Sequence, residues 1–251
     1  MKLNMSEWNL FKVAARKAGS LVTAGSMALL SGCATGPNAN PRDPLEPINR
    51  EVSKFNEGLD SVLLKPAATV YKKAMPSLVR TGVSNFFNNI SDVVSTINNA
   101  MQLKAEATGE MVIRVSFNTV FGFGGLFNLA GELGVDRHPE DFGQTLGYWG
   151  VPSGPYLVLP LLGPSTVRDA SALWVDYKYD VTNYRDPIQT RTKLGVLRIV
   201  NGRANLLNLG TMLDEAALDK YSFTRDAFLQ RRRSLILDGE DPGDGADATP
   251  K

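Results

Sequence analysis

Residues 142–167 hold no acid, base or histidine over 26 positions, yet they cannot form one helix. Pro152, Pro155, Pro160 and Pro164 each remove a backbone donor, and Gly143, Gly147, Gly150, Gly154 and Gly163 loosen the chain between them. The length would permit a membrane crossing, but the composition demands a bent or re-entrant path. Irregular backbone survives at membrane depth only where protein or a water-filled cavity satisfies its polar groups. The segment therefore implies a lined cavity. Its aromatics, Tyr148, Trp149 and Tyr156, suit either a membrane interface or an ordinary core.

A second uncharged run, residues 115–131, covers 17 positions and includes Phe117, Phe121, Phe123 and Phe127. Gly122, Gly124 and Gly125 in its middle each weaken a helix by roughly 1 kcal/mol relative to alanine. Asn118 and Asn128 would be costly against lipid. A hairpin packed on neighbouring helices fits this run better than an isolated span.

Helical periodicity is clearest over residues 80–103, where Val83, Phe86, Phe87, Ile90, Val93, Val94, Ile97 and Met101 follow three- and four-residue steps. The other face carries Asn85, Asn88, Asn89, Asn98 and Asn99, and Asp92 is its one ionisable group. That pattern fits a soluble amphipathic helix or a surface lined by water or lipid headgroups. Two later helices are expected. Leu194, Leu197, Val200, Ala204 and Leu207 form one apolar face, with Arg191, Arg198 and Arg203 reaching either bilayer phosphates or water. A final helix over 213–237 places acids early and Arg231, Arg232 and Arg233 late, as the helix dipole favours. Few runs alternate as strands do, so the fold class is all-α.

The amino terminus has the form of an export signal. Lys2, Lys12, Arg16 and Lys17 precede an apolar stretch at 21–30 that is too short to span a bilayer. It ends in Leu30, Ser31, Gly32 and Cys33, which resembles the lipoprotein box of bacteria. That resemblance makes Cys33 the lipid-attachment residue and residues 1–32 a removed signal peptide. The mature chain then has 23 cations against 25 acids, a net charge of −2. Ala34, rather than aspartate, after the cysteine suggests sorting to an outer membrane. Residues 33–47 contain four prolines and read as a lipidated flexible tether; residues 48–237 are the helical domain; residues 238–251 read as a disordered acidic tail.

Several activities find no support. The near-zero charge disfavours nucleic acid. One cysteine and one histidine exclude the usual zinc sites, and no metal or cofactor is expected. No G-x-S-x-G elbow is present, and Gly122, Phe123, Gly124 and Gly125 lack the third glycine of a dinucleotide loop. His138 sits among Asp136, Arg137, Pro139, Glu140 and Asp141 with no partner visible from sequence, either as part of a hydrogen-bonded turn or as an acid/base group. The chain reads as a non-enzyme.

Four stretches together are similar to the MlaA (VacJ) family of outer-membrane lipoproteins. They are Asp43, Pro44, Leu45, Glu46 with Asn49, Arg50, Phe55 and Asn56; RTGVSNFFNN at 80–89; FNTVFGFGG at 117–125; and Asp141 followed by FGQTLGYWGVPSGPYLVLPLLGPSTVRD at 142–169. The resemblance implies a ring of mostly amphipathic helices embedded in one membrane leaflet around a polar channel. It implies removal of mislocalised phospholipid from the outer leaflet and delivery to a periplasmic lipid-carrier protein, with an outer-membrane porin trimer as partner. Under it, Asn85, Asn88 and Asn89 are candidate channel or headgroup contacts. Phe55, Asn56, Gly147, Gly150 and Gly154 are candidate hinge or gate residues. The alternative is a structural envelope lipoprotein with no transport channel.

Overall fold

The computed structural model describes residues 40–184, 187–210 and 218–239. Cys33, the signal segment and the tail beyond Gly239 lie outside these residues. The chain is mostly helical: α1 (Glu46–Leu59), α2 (Lys65–Ala74), α3 (Ser77–Met101), α4 (Ala105–Val120), α5 (Leu129–Glu132), α6 (Phe142–Tyr148), α7 (Val167–Tyr179), α8 (Ile188–Asn205) and α9 (Lys220–Ile236). A π-helical segment, Asp60–Leu64, joins α1 to α2. Pro66 explains it, because the ring has no N–H to donate and crowds the carbonyl one turn back, so the ladder widens there.

Contacts run around a closed circuit. The α2 helix packs on α8, α8 on α3, α3 on α6 and α6 on α9; α9 and α1 both reach one β-hairpin between them. The circuit closes through residues the sequence assigned to a free tether. Asp43 is almost fully buried, accepts a hydrogen bond from the Tyr221 hydroxyl at 2.6 Å and pairs with Arg225 at 3.3 Å. Residues 40–47 are thus part of the fold, a correction to the 33–47 boundary. At the other end Asp238, assigned to the acidic tail, pairs with Lys104 at 2.6 Å.

Within this mostly helical fold stands one short hairpin, β1 (Tyr156–Leu159) and β2 (Gly163–Thr166). It is antiparallel, with Tyr156 opposite Thr166 and Leu159 opposite Gly163. Asparagines from α1 pair the free edge of β1. Asn49 accepts from Val158 N at 2.9 Å and donates to Tyr156 O at 3.0 Å, and seven residues on Asn56 accepts from Leu161 N at 2.8 Å and donates to Leu159 O at 2.9 Å. Two helical turns match the rise of the strand, so side-chain amides replace a third strand.

Helices α3 and α4 pack on each other, and the run at 115–131, expected as a hairpin, forms the end of α4, a glycine-rich turn and the start of the short α5. Gly125 has φ +92°, and an added Cβ would stand 2.5 Å from the Asn89 Cβ. Among the described residues, no helix is long and apolar enough to cross a membrane. Burial is inverted relative to a water-soluble globule. Buried polar side chains outnumber buried apolar ones among the described residues, while Val62, Leu78 and Phe123 are 75–80% exposed. An outside carrying this much exposed apolar surface is suited to a lipid environment or a partner.

Candidate functional site

Inside the ring lies a chamber of about 370 Å³, within the range of small-molecule sites. Its walls come from several elements of the circuit, though not from α1 or α2: Ser91 and Ser95 of α3, Glu140 and Asp141 ahead of α6, Leu159 and Leu162 of the hairpin, Asp169, Leu173 and Asp176 of α7, Asp180 just beyond it, Arg198 of α8, and Phe228 and Arg232 of α9. A second chamber of about 380 Å³ shares Ser91, Ser95, Glu140, Asp141, Phe228 and Arg232 with the first, and adds Arg137, Gln144 and Arg231. The two adjoin through these six residues as one joined cavity, the passage of the reading proposed below, with acids concentrated toward α7 and arginines toward α9.

Local sequence explains the placement. Thr166 caps α7 by accepting from Asp169 N at 3.2 Å, and the helical repeat then puts Asp169, Leu173, Asp176 and Asp180 on one face. Asp141 caps α6 by accepting from Gln144 N at 2.8 Å, while the Gln144 side chain donates back to it at 3.1 Å. Gly147 allows α6 to approach closely, since an added Cβ would lie 2.7 Å from Arg168 Nη1 and 2.8 Å from Ile236 Cδ1.

Most wall charges are matched inside the protein. Arg232 donates to both oxygens of Asp141, at 2.5 and 2.6 Å, and its Nε lies 2.9 Å from Asp169 Oδ2 without the alignment of a hydrogen bond. Burial would raise the Asp141 carboxyl, but the Arg232 fork outweighs it and holds the group below the usual range. Asp180 is likewise lowered, its burial outweighed by Thr182 and Arg198. Glu140 is raised, because its burial exceeds the help of Gln102 and Lys104. Asp176 differs from all of these. Its Oδ1 accepts from Phe142 N at 3.0 Å, no cation pairs with it among the described residues, and burial aided by the nearby Asp141 pushes it up to about 6.

The structure separates the residues predicted from sequence. Asn85 donates to Leu126 O at 3.2 Å and Asn89 to Thr119 Oγ1 at 2.9 Å, so both clamp the glycine turn; Asn88 is exposed. None of the three lines either chamber, so their role as channel contacts finds no support there, and headgroup contact is left to the exposed Asn88 as a proposal. The arginines at 191, 198 and 203, partly exposed, also have partners within the protein. Arg198 holds Asp180 and Ser91, Arg203 holds Asp60 through two bonds at 2.6 and 2.7 Å, and Arg191 donates to Asn183 O. His138, which had no visible partner, meets Glu110 through Nε2 outside the passage.

The hinge and gate set divides as well. Gly147 is a packing contact within α6. Gly150, with φ +86°, ends that helix, its N–H reaching Gly147 O while Val151 N reaches Leu146 O. Gly154 has φ +67° and faces Val167. Phe55 is exposed, whereas Asn56 holds the hairpin turn beside the Leu159 and Leu162 walls. The acids of α7 escaped the sequence reading. Their spacing, seven and then four residues, was the available signal.

Comparison with known proteins agrees with this geometry. The sequence model of the family described as MlaA lipoprotein matches residues 41–235. The intermembrane phospholipid transport system lipoprotein MlaA of Haemophilus influenzae is 32% identical over 235 residues, covering 89% of this chain and 93% of that protein. The protein of the same name from Escherichia coli is 33% identical over 218 residues, covering 84% and 86%. A solved structure from work on the structural basis for maintenance of bacterial outer membrane lipid asymmetry superposes with a TM-score of 0.69 at 32% identity, covering 77% of this chain and 98% of that one. A closed helical circuit, a charged passage and these matches lead to one assignment: the chain belongs to the MlaA lipoprotein family.

Proposed function

We propose that this protein removes phospholipid that has strayed into the outer leaflet of an outer membrane and passes it through the chamber to a periplasmic carrier. The observation that carries this reading is the passage itself, a charged interior inside a ring with an apolar exterior. A phospholipid has a charged head that needs polar contacts and acyl chains that do not. The chamber offers Asp176 and Ser95 on some walls and Leu159, Leu162, Leu173 and Phe228 on others. The phospholipid transport named for the relatives supports the same role.

In this reading Cys33 carries the acyl anchor, the exposed apolar surface sits in the periplasmic leaflet, and a porin trimer shares the exterior of the ring. Asn56 acts on the gate by fixing the hairpin turn, and Phe55 faces lipid or the porin. No bond is made or broken in the lipid; the protein moves it without acting as an enzyme.

The test is the amount of phospholipid in the outer leaflet of cells lacking this protein, with wild-type and Cys33→Ser copies restored separately. A rise corrected by the wild-type copy alone is expected. No rise would overturn the transport reading and return the protein to a structural role in the envelope.

A further inference from the structure

The carboxylates facing the α7 end of the passage are unequal. Arg232 satisfies Asp141 and touches Asp169, which also has Arg168 at 2.9 Å. Asp180 has Arg198, and Glu140 has Lys104 at 3.0 Å. Asp176 has one backbone N–H on Oδ1, and Oδ2 has no hydrogen-bond partner among the described residues. The guanidinium of Arg232, whose charge is felt at Asp176, is already committed to Asp141 and Asp169.

A half-buried carboxylate without a counter-charge is costly, and the cost is met when a cation arrives. The room beside it is a half-open chamber with Leu159, Leu162, Leu173 and Phe228 on its other walls. A hydrated metal ion would gain nothing from those apolar walls, and the described residues contain no carboxylate or histidine group arranged to hold one. An ammonium attached to an amphiphile uses both surfaces. Resting on the phospholipid-passage reading above, we propose that Asp176 reads the headgroup, taking the ammonium of an aminophospholipid and thereby favouring it over an anionic phospholipid that lacks an amine. An anionic headgroup meets the same carboxylate as a like charge, so selection comes from repulsion as well as attraction.

The test uses the full-length lipidated protein in vesicles of equal phosphatidylethanolamine and phosphatidylglycerol, recovered in mild detergent, with the bound lipid identified by mass spectrometry. Wild-type protein should hold the ethanolamine lipid over phosphatidylglycerol at a ratio of about ten to one, the worth of one charge-assisted contact. In Asp176→Asn the ratio should fall to about one, and Asp176→Glu should restore it. A second measurement needs no variant: the wild-type protein should discriminate to the same degree against N-acetylated phosphatidylethanolamine, which keeps the head but loses the charge. Excess glycerophosphoethanolamine should not displace the bound lipid, because it lacks the part that meets the leucine walls.

Equal ratios in wild type and Asp176→Asn, or no preference in wild type, would overturn the selection while leaving the passage intact. Displacement by the soluble headgroup would overturn the assignment to a lipid. Wild-type protein that retains neither lipid would overturn the passage reading, and this inference with it.

Discussion

Replacing Asp176 with asparagine should stabilise the protein at neutral pH and have no effect below about pH 4. The folded protein holds the Asp176 carboxyl at about 6, against an ordinary 3.8. The folded state therefore binds this proton more tightly than the unfolded chain does. The associated stability is fully present below 3.8 and is lost as pH rises through 6. At about 1.36 kcal/mol per pH unit the gap is worth about 3 kcal/mol, and partial exposure of the carboxylate reduces it to about 1–2 kcal/mol. Asparagine never takes up the charge and still offers an oxygen to Phe142 N–H. Asp141 and Arg232, which act on Asp176 with opposite sign, are present in both proteins. Thermal unfolding in non-ionic detergent between pH 4 and 8 measures it. The variant should melt about 3–6 °C higher at pH 8, with the curves converging at pH 4. A variant that melts no higher at pH 8, or whose advantage persists at pH 4, would refute the assignment of an uncompensated charge.

Arg232→Ala strands Asp141 and leaves Asp169 with Arg168 alone, and should cost about 3–5 kcal/mol, read as a lower urea midpoint; a loss under about 1 kcal/mol would contradict the bridge. Gly150→Ala should cost about 1–2 kcal/mol at its positive φ, and Gly150→Pro more, with falling protein levels, because proline cannot adopt that angle. Unchanged levels of the proline variant would contradict the helix-ending role. Asn56→Ala removes both bonds to the hairpin turn and should speed hydrogen exchange at the Leu161 amide, with a stability loss of about 1–3 kcal/mol; unaltered protection there would show that the turn is held by something else.

Periodicity located α3 to within a few residues, at 77–101 against an expected 80–103, because an apolar stripe is a local signal. It gave no warning of the hairpin at 156–166. Pro160 and Pro164 break the alternation there, and the strand edge is completed by Asn49 and Asn56, about a hundred positions away. The same distance hid the polar interior. Asn99 reads as a surface residue until its bond to His138 O, 39 positions on, is known, and Gln102 until it is seen donating to Glu140. The arginine run at 231–233 shows the limit most clearly. The helix dipole accounts for its position in α9, yet Arg232 is chosen by two aspartates on other elements. The passage was anticipated only in outline, from the need to line a bent uncharged segment.

The contact of Asp43 with Tyr221 joins positions 178 apart, so the circuit is shut by nearly the first and nearly the last residues of the domain. Closing so long a loop yields little until both ends are present. A chain still emerging from an export channel, or one cut short before α9, has α1 and the hairpin but no latch. Its carboxylates face water instead of Arg232, and its apolar outside has no closed body to cover. Assembly is then a race between latching and aggregation, decided by whatever shields the exterior before the last helix arrives.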